Sequence, residues 1–316
     1  MHSEKVKNQP KIIVLGSCSV DFTTYCPRLP APGETLHGTK FTTSYGGKGA
    51  NQCVAAAKLG GNTYMICRVG DDQWGKQYKE HLKNLGVNVS HTHITKDITT
   101  GIAQISVAEN GENQIVIVAG ANNSLSKLDV DLAKDLIRDA DLIIGQLETP
   151  FETTLEAFKL NNGIKLLNAA PARTDIGEIL PYCTILCVNE PEASLIVNFE
   201  VELSNVKEAL KKILEFGCDT VIITMGEKGA VYSTKKYSDC VHVLCDKVKP
   251  KDTTGAGDAF VGALAKFLTD DKRQPLHQIV GAACEVATLS VTKEGTQTSY
   301  PADFSYTNKR YDYVIL

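Results

Sequence analysis

A short glycine-rich turn followed directly by an aspartate is the part of the chain best suited to chemistry. It spans residues 252–260, Asp-Thr-Thr-Gly-Ala-Gly-Asp-Ala-Phe. Apolar residues recur after it at helical spacing, so we expect a helix to begin at the glycines. The first amides of a helix have no intrahelical acceptor and lie at the positive end of its dipole, which suits a phosphoryl group. Asp258 could then take the proton of an attacking hydroxyl while Gly255, Ala256 and Gly257 hold the transition-state charge. The alternative is an ordinary loop with an acidic first turn.

Composition limits the partners that the chain can have. Its 316 residues include 33 basic and 37 acidic side chains, a net charge of −4, which predicts no general attraction to nucleic acid or anionic membranes. Residues 1–10 are polar and no later apolar run is long enough to span a bilayer, so we expect no signal peptide and no membrane anchor. The expected location is the cytoplasm, with the nucleus left open.

The ten cysteines show no Cys-x-x-Cys spacing, which predicts reduced thiols rather than a disulfide scaffold. A zinc site is a weaker alternative. Cys240 and His242 would share one face of a strand, but Cys245 would point to the other face.

Short apolar runs alternate with amphipathic stretches along most of the chain. This alternation predicts an α/β fold with a mostly parallel central sheet that helices flank. The predicted strands are 12–15, 63–69, 142–147, 165–168, 185–188 and 220–224, and the predicted helices are 50–59, 74–85, 128–139, 151–161 and 205–216.

One region breaks the alternation. Two strand-like runs, 102–108 and 114–119, flank an Asn-Gly hairpin signal without an intervening helix, and 34–44 is a further strand-like stretch. They could form a small separate sheet or only an extra hairpin on the main sheet. We expect one catalytic domain, 1–316, with a discontinuous β lid at about 17–46 and 98–121.

Four motifs together resemble one enzyme family. The turn at 252–260 is similar to the C-terminal signature of the ribokinase family of carbohydrate kinases, and residues 46–52, Gly-Gly-Lys-Gly-Ala-Asn-Gln, resemble its N-terminal sugar-binding motif. Residues 189–192, Asn-Glu-Pro-Glu, and 224–229 are similar to its Asn-x-x-Glu motif and its nucleotide loop. The resemblance covers residues 12–299 and implies a ribokinase-like fold whose β lid covers the sugar and forms a homodimer contact.

The resemblance also implies residues that bind the sugar. A carboxylate at Asp21 could accept hydrogen bonds from two hydroxyls, and Asn51 offers both a donor and an acceptor. Glu148 could instead help to cap the helix that follows it. The implied set is Ser19, Val20, Asp21, Gly47, Lys48, Gly49, Ala50, Asn51, Glu148 and Asp258.

On the nucleotide side, the resemblance implies contacts to ATP and its Mg²⁺. Glu192 would act on the metal through water, since Mg²⁺ keeps several water ligands. Cys284 departs from the family, which often has a polar residue near the adenine. The implied set is Asn189, Thr224, Met225, Gly226, Glu227, Lys228, Gly229, Gly257 and Cys284.

Activation by a monovalent cation is a further family trait. One carboxylate with backbone carbonyls would suit K⁺, while the alternative is a plain helix-terminating loop. The implied set is Asp252, Thr254, Ser290, Lys293, Gly295 and Ser299.

The activity implied is transfer of the ATP γ-phosphoryl group to the 5-hydroxyl of D-ribose, with another kinase of the same family, acting on fructose or a nucleoside, as the nearest alternative. A nicotinamide-dependent dehydrogenase is disfavoured because the first predicted strand is followed by Gly-Ser-Cys-Ser-Val-Asp and not by Gly-x-Gly-x-x-Gly. A sugar-binding regulator without activity stays open, although Asp258 argues against it.

Overall fold

A computed structural model describes residues 9–237, 239–270, 274–302, 304–306 and 309–316, so most of the polar N-terminal segment lies outside the described residues. Its strands are β1 Lys11–Leu15, β2 Ser19–Cys26, β3 Lys40–Gly46, β4 Asn62–Gly70, β5 Asn88–Thr95, β6 Gly101–Ala108, β7 Asn113–Val118, β8 Leu142–Gly145, β9 Ile164–Asn168, β10 Ile185–Asn189, β11 Thr220–Thr224, β12 Ala230–Thr234, β13 Val241–Val243 and β14 Tyr313–Ile315. Its α-helices are α1 Lys48–Lys58, α2 Gln73–Asn84, α3 Lys127–Leu132, α4 Lys134–Arg138, α5 Phe151–Leu160, α6 Glu190–Val197, α7 Val206–Leu214, α8 Ala256–Asp270 and α9 Leu276–Ser290.

Ten strands of the described residues form the central sheet, in the order β14-β13-β12-β11-β10-β9-β8-β1-β4-β5. In this order, the seven neighbouring strands β11, β10, β9, β8, β1, β4 and β5 are parallel to one another. The strands β12, β13 and β14 extend the sheet with antiparallel pairing. Because parallel strands end at the same edge, the residues that follow β1, β8, β9, β10 and β11 meet along one rim. That rim is where most of the motifs lie.

The core has two layers, one on each face of this sheet. Side chains of a strand point alternately to its two faces, so Ile12 and Val14 pack with α1 and α8, while Ile13 and Leu15 pack with α5 on the other side. All four are fully buried. This double burial explains why the central strands read as continuous apolar runs.

Two helices of the first layer, α1 and α8, approach each other very closely. A Cβ atom added at Gly262 of α8 would lie 2.5 Å from both the Ala55 Cβ and the Gln52 carbonyl oxygen of α1. Only glycine leaves room for this approach, which brings the N-terminal turns of the two helices together at the rim.

A second, smaller sheet has the order β3-β2-β6-β7. Its outer pairs are antiparallel, and β2 pairs with β6 in parallel. All four strands fall within 17–46 and 98–121. The expected strand-like stretch 34–44 is wrong in its first half, since β3 begins only at Lys40. The strand β2 was not predicted at all.

The other predictions of secondary structure mostly agree with the structure. The six predicted strands of the main sheet are β1, β4, β8, β9, β10 and β11, and four predicted helices are α1, α2, α5 and α7. The helix expected at 128–139 is instead two short helices, because the backbone leaves helical geometry at Ala133, with φ −102° and ψ 12°. The strand expected around Cys240 and His242 is β13, whereas the strands β5, β12 and β14 were missed.

The cysteines and the alternative zinc site can be judged directly. None of the ten cysteines forms a disulfide bond. The described residues include no group of three His, Cys, Asp or Glu side chains placed to hold a metal ion. The His242 Nε2 lies 2.6 Å from the Lys228 carbonyl oxygen, which accounts for this histidine without a metal. In the described part of the chain, no helix combines the length and apolar character needed to cross a membrane.

Candidate functional site

Asp258 lies in the first turn of α8 and is 8% exposed. Two amides of α1 hold its carboxylate. Asn51 Nδ2 donates to Asp258 Oδ2 at 3.0 Å, and Gln52 Nε2 donates to Oδ1 at 2.9 Å. Both carboxylate oxygens are therefore fixed in direction. The close contact of α1 and α8 makes this pairing possible.

A second row of amides holds Gln52 in turn. Its Nε2 also donates to Asn168 Oδ1 at 2.9 Å, and its Oε1 accepts from Gln146 Nε2 at 2.7 Å. Sequence reasoning named neither Asn168 nor Gln146 as a site residue. Asn168 is the last residue of a predicted strand, and Gln146 lies one residue before the end of another. The rule that ligands bind at the carboxyl ends of strands could therefore have identified both.

Two opposing effects act on the pKa of Asp258. The pKa of Asp258 is raised above its ordinary value, because burial raises it by more than the Lys48 ammonium and the hydrogen bonds from Asn51 and Gln52 lower it. Burial alone would lower the pKa of Lys48, but the charges of Asp258, Glu148 and Glu192 raise it. The lysine and the two amides thus favour the ionised carboxylate, the form that a general base needs.

The expected sugar-binding carboxylate, Asp21, lies on β2 of the small sheet. It touches the glycine turn at the end of β3, because a Cβ atom added at Gly46 would lie 2.4 Å from Asp21 Oδ2. Burial, with the charges of Glu148 and Asp258, raises the pKa of Asp21 to about 7. Asp21 therefore interacts electrostatically with the two other carboxylates. Its neighbour Val20 is buried in the core, so only its backbone can face a ligand.

Glu148 binds at the start of α1. Its Oε2 accepts from the Lys48 amide at 2.9 Å and from the Ser17 hydroxyl, so it binds the N-terminus of α1 and not that of α5. Ser17 also bonds the Gly49 and Ala50 amides through its hydroxyl and carbonyl oxygens. The first turn of α1 is thus occupied by protein groups.

Ser19 lies at the start of β2, where its hydroxyl accepts from Asn122 Nδ2 at 3.2 Å. Gly47 precedes α1 with φ +89°, a left-handed conformation that favours glycine. Both residues border the same end of the small sheet.

Two cavities meet at the glycine turn of α8. The first, of about 200 Å³, is lined by Lys48, Asn189, Glu192 and Asp258 among others. The second, of about 270 Å³, is lined largely by apolar side chains. The two cavities share four lining residues, Thr224, Thr253, Ala256 and Gly257. Together they form one cleft with the helix N-terminus in the middle, where a transferred anionic group would pass.

The second cavity receives part of the expected nucleotide loop. Thr224, Gly226, Glu227 and Gly229 line it, and so does Cys284, whose pKa burial raises beyond its ordinary range. The Met225 side chain packs in the core instead, and Lys228 lies 3.7 Å from Glu190 in an ion pair. Sequence reasoning missed the lining residues that no motif carries: Cys245, Asp246, Val248, Pro250, Ala287, Thr288 and Val291.

The Asn-x-x-Glu motif forms a capping box at the start of α6. Asn189 Oδ1 accepts from the Glu192 amide at 2.8 Å, and Glu192 Oε2 accepts from the Asn189 amide at 2.9 Å. This pairing fixes Glu192 at the cavity wall with its Oε1 as the further oxygen. One carboxylate oxygen beside a polar cavity fits a hydrated Mg²⁺.

The expected monovalent-cation residues come from two loops that the structure joins. Asp252 Oδ1 accepts from the Thr254 amide at 2.9 Å, and Oδ2 accepts from the Gly295 amide at 2.8 Å. These bonds hold the pKa of Asp252 below its usual value, although burial alone would raise it.

The remaining residues of that set lie on the second loop. The Ser290 carbonyl accepts from the Lys293 amide at 3.1 Å, and Ser290 and Ser299 are buried. The structure thus brings the two loops together through the hydrogen bond from the Gly295 amide to Asp252.

Comparison with known proteins agrees with this geometry. Residues 9–303 match the model of a family described as pfkB family carbohydrate kinase. The chain is 40% identical over 295 residues to the ribokinase of Mus musculus, covering 92% of this chain and 91% of that protein. It is 37% identical over 298 residues to a deoxyribokinase of Salmonella typhi, covering 92% and 95%. The structure of Arabidopsis thaliana ribokinase, complexed with ribose and ATP, superposes with a TM-score of 0.87 at 28% identity over 93% of this chain and 96% of that one. The chain therefore belongs to the pfkB family of carbohydrate kinases.

Proposed function

We propose that this chain is a ribokinase that transfers the γ-phosphoryl group of ATP to the 5-hydroxyl of D-ribose. The observation that carries the proposal is the position of Asp258. It lies in the first turn of α8, in the wall of the first cavity and beside the glycine turn that both cavities share, and Asn51 and Gln52 hold both of its oxygens. The mouse relative is a ribokinase, and the Arabidopsis structure contains ribose and ATP, which supports the choice of both substrates.

In the reaction, the ribose 5-hydroxyl gives its proton to Asp258 as its oxygen attacks the γ-phosphorus. The new O–P bond forms while the bond from the γ-phosphorus to the bridging oxygen breaks, and ADP leaves with that electron pair. The amides of Gly255 and Gly257, at the positive end of α8, stabilise the charge on the phosphoryl oxygens, and the Ala256 amide, which donates to the Thr253 carbonyl oxygen at 3.3 Å, joins them by exchanging that acceptor.

The sugar would lie between the two sheets. Asp21 accepts hydrogen bonds from ribose hydroxyls, and the Gly46–Gly47 turn keeps the adjacent wall thin enough for close contact. The side-chain amide of Asn51 then contacts both the sugar and Asp258, the general base. This places the reactive hydroxyl against Asp258 and sets its distance from the phosphoryl donor.

The nucleotide would occupy the larger cavity, with its phosphates at the glycine turn. Asn189 and Glu192 would hold a hydrated Mg²⁺, which supplies positive charge to the β- and γ-phosphates when it is bound. Lys48 lines the first cavity together with Asp258 and Glu192, so its ammonium group can pair with the transferred phosphoryl group. The loops of Asp252 and Gly295 would bind K⁺ and thereby order the segment before the glycine turn.

A specific observation favours 2-deoxyribose as a second candidate substrate, because the Salmonella relative is a deoxyribokinase. The test is ATP-dependent ADP release with ribose, 2-deoxyribose, fructose and adenosine, each with and without K⁺. We expect the highest kcat/KM with ribose. A higher value with another substrate would reassign the enzyme within the family, and no ADP release with any of the four would favour a regulator that binds sugar without turnover.

We further propose a homodimer that forms through the small sheet. Its edge strand β7 exposes four consecutive apolar residues, with Ile115 at 52% and Val116 at 65% exposure. A contiguous apolar edge of this kind is typical of a contact surface. The substitution Val116→Lys should convert the dimer into a monomer, as measured by light scattering. The control substitution Leu132→Lys, at a leucine of α3 that is 57% exposed, should not. A monomeric wild-type protein would contradict the proposal.

A further inference from the structure

A buried glutamine, Gln297, lies behind the amides that hold the catalytic aspartate. It belongs to the loop after α9 and is 4% exposed. Its Nε2 donates to Asn51 Oδ1 at 3.0 Å and to the Tyr78 hydroxyl at 2.9 Å, and its Oε1 lies 2.9 Å from His81 Nε2. The Gln297 carbonyl oxygen accepts from Lys58 Nζ. Protein groups therefore hold this residue on every side.

The consequence for Asn51 follows from the chemistry of an amide. An asparagine can present either its NH₂ group or its oxygen to a neighbour. Here the NH₂ group faces Asp258 Oδ2 at 3.0 Å, and Gln297 donates to the opposite end. If Asn51 turned over, its oxygen would face the carboxylate and its NH₂ group would face the NH₂ group of Gln297. Both contacts would then be repulsive, so Gln297 selects the orientation that serves Asp258.

The same glutamine ties the base to the small sheet. The Tyr78 hydroxyl, which accepts from Gln297, donates to the Gly46 carbonyl oxygen at the end of β3. The His81 ring stacks on Tyr45 of that strand, with ring centroids 4.2 Å apart. Gln297 thus joins α1, α2 and the strand that borders the expected sugar site.

We propose that Gln297 is a positioning residue for phosphoryl transfer, which acts through Asn51 to fix the orientation and the ionised state of Asp258. The proposal rests on the proposed function in taking Asp258 as the general base. No motif pointed to this residue, and it does not line either cavity of the cleft. The loop that contains Gln297 also contains Gly295 and Ser299. A cation bound at this loop would therefore influence the position of Asp258 through Gln297.

The direction of the electrostatic effect can be derived. The hydrogen bond from Asn51 lowers the pKa of Asp258, so its loss should raise that pKa and move the acidic limb of the rate profile to higher pH. Other charges around Asp258 would stay in place. The titratable groups that interact with it are Asp21, Lys48, Glu148, Glu192 and Tyr300.

The first test compares two buried glutamines. We call the chain of hydrogen bonds from Gln297 through Asn51 to Asp258 the relay. Gln297→Met removes this relay and keeps the size of the side chain. Gln278→Met is the matched control, because Gln278 is also buried and its two side-chain hydrogen bonds both go to the backbone of Tyr311, not to the amides that hold Asp258. We expect Gln297→Met to lower kcat by about 10- to 100-fold with an unchanged ATP KM, since small misplacement of a reacting group has large effects on rate. The control should lose stability only.

Two further measurements separate positioning from folding. Gln297→Glu is isosteric, but a carboxylate cannot donate to Asn51, so the same loss of kcat and the same shift of the acidic limb should follow. In a double-mutant cycle, Gln297→Met should have little further effect on kcat in an Asn51→Ala background. Additive effects, or equal losses in the Gln297→Met and Gln278→Met variants, would overturn the proposal.

The last measurement needs no substrate. The ¹³C shift of the Asp258 carboxyl carbon, assigned by its loss in Asp258→Asn, can be titrated against pH in the wild type and in Gln297→Met. A higher pKa in the variant supports the relay even if the wild type does not phosphorylate ribose, in which case the proposed function alone fails. An unchanged pKa overturns the relay, whatever the substrate.

Discussion

Ribose binding should tighten as the pH rises through neutrality, because the carboxylate expected to hold the sugar is only partly ionised there. The pKa of Asp21 is raised from its ordinary 3.8 to about 7, first by burial and then by the charges of Glu148 and Asp258. Hydroxyl donors bind the ionised form, so ribose should lower this pKa and displace a proton. The affinity gained from Asp21 is then present above the pKa of the free enzyme and is lost as the pH falls through it.

The size of the effect follows from the fraction ionised. A carboxyl group with a pKa of about 7 is ionised in about a tenth of the molecules at about pH 6 and in about nine-tenths at about pH 8. The dissociation constant of ribose should therefore fall about tenfold over this interval, which corresponds to about 1.4 kcal/mol.

Calorimetric titration of ribose into the nucleotide-free enzyme measures this effect. Repeating it in two buffers of different ionisation enthalpy also counts the protons released. Asp21→Asn should abolish the pH dependence. Asp258→Asn should move its midpoint to lower pH, since the charge of Asp258 contributes to the raised pKa of Asp21. A ribose affinity that is constant from about pH 6 to 8 in the wild type would refute the reasoning.

Three other outcomes test the rest of the site. Asp258→Asn should lower kcat by about 10²- to 10⁴-fold while ribose and ATP binding stay near wild type, and a variant with more than about a tenth of the activity would remove this residue from the base role. K⁺ should raise kcat and Asp252→Ala should abolish that response, whereas equal rates in KCl and tetramethylammonium chloride at one ionic strength would leave the loop purely structural. Gly262→Ala should reduce the free energy of unfolding in urea by about 1–3 kcal/mol through overpacking against α1, while Gly177→Ala, which meets no atom within 4 Å, should change it little. Equal stabilities of the two alanine variants would argue against the close helix contact.

Much of the fold was predictable because it depends on local patterns. Apolar runs buried on both faces identify the strands β1, β8, β10 and β11, and helical spacing after Gly257 identifies α8. The position of Asp258 in the first turn of that helix is also local, since it needs only the glycine turn and the start of the helix. The strand β2 escaped prediction because its alternation of polar and apolar residues holds only from Ser19 to Thr23 and most of its residues are only half-buried.

The sequence by itself determined the α/β class, the order of the motifs and the chemical type of each group in the cleft, because backbone preference and burial pattern are written in neighbouring residues. Only the tertiary structure decided how those groups meet. Asn51 reaches Asp258 across 207 positions in the chain, and Gln297 reaches Asn51 across 246. Those contacts depend on the path of the chain and on the close approach of α1 and α8 at Gly262, which no local pattern encodes. The raised pKa of Asp21 has the same origin, since it comes from burial in the folded chain and from the charges of Glu148 and Asp258, which belong to distant segments.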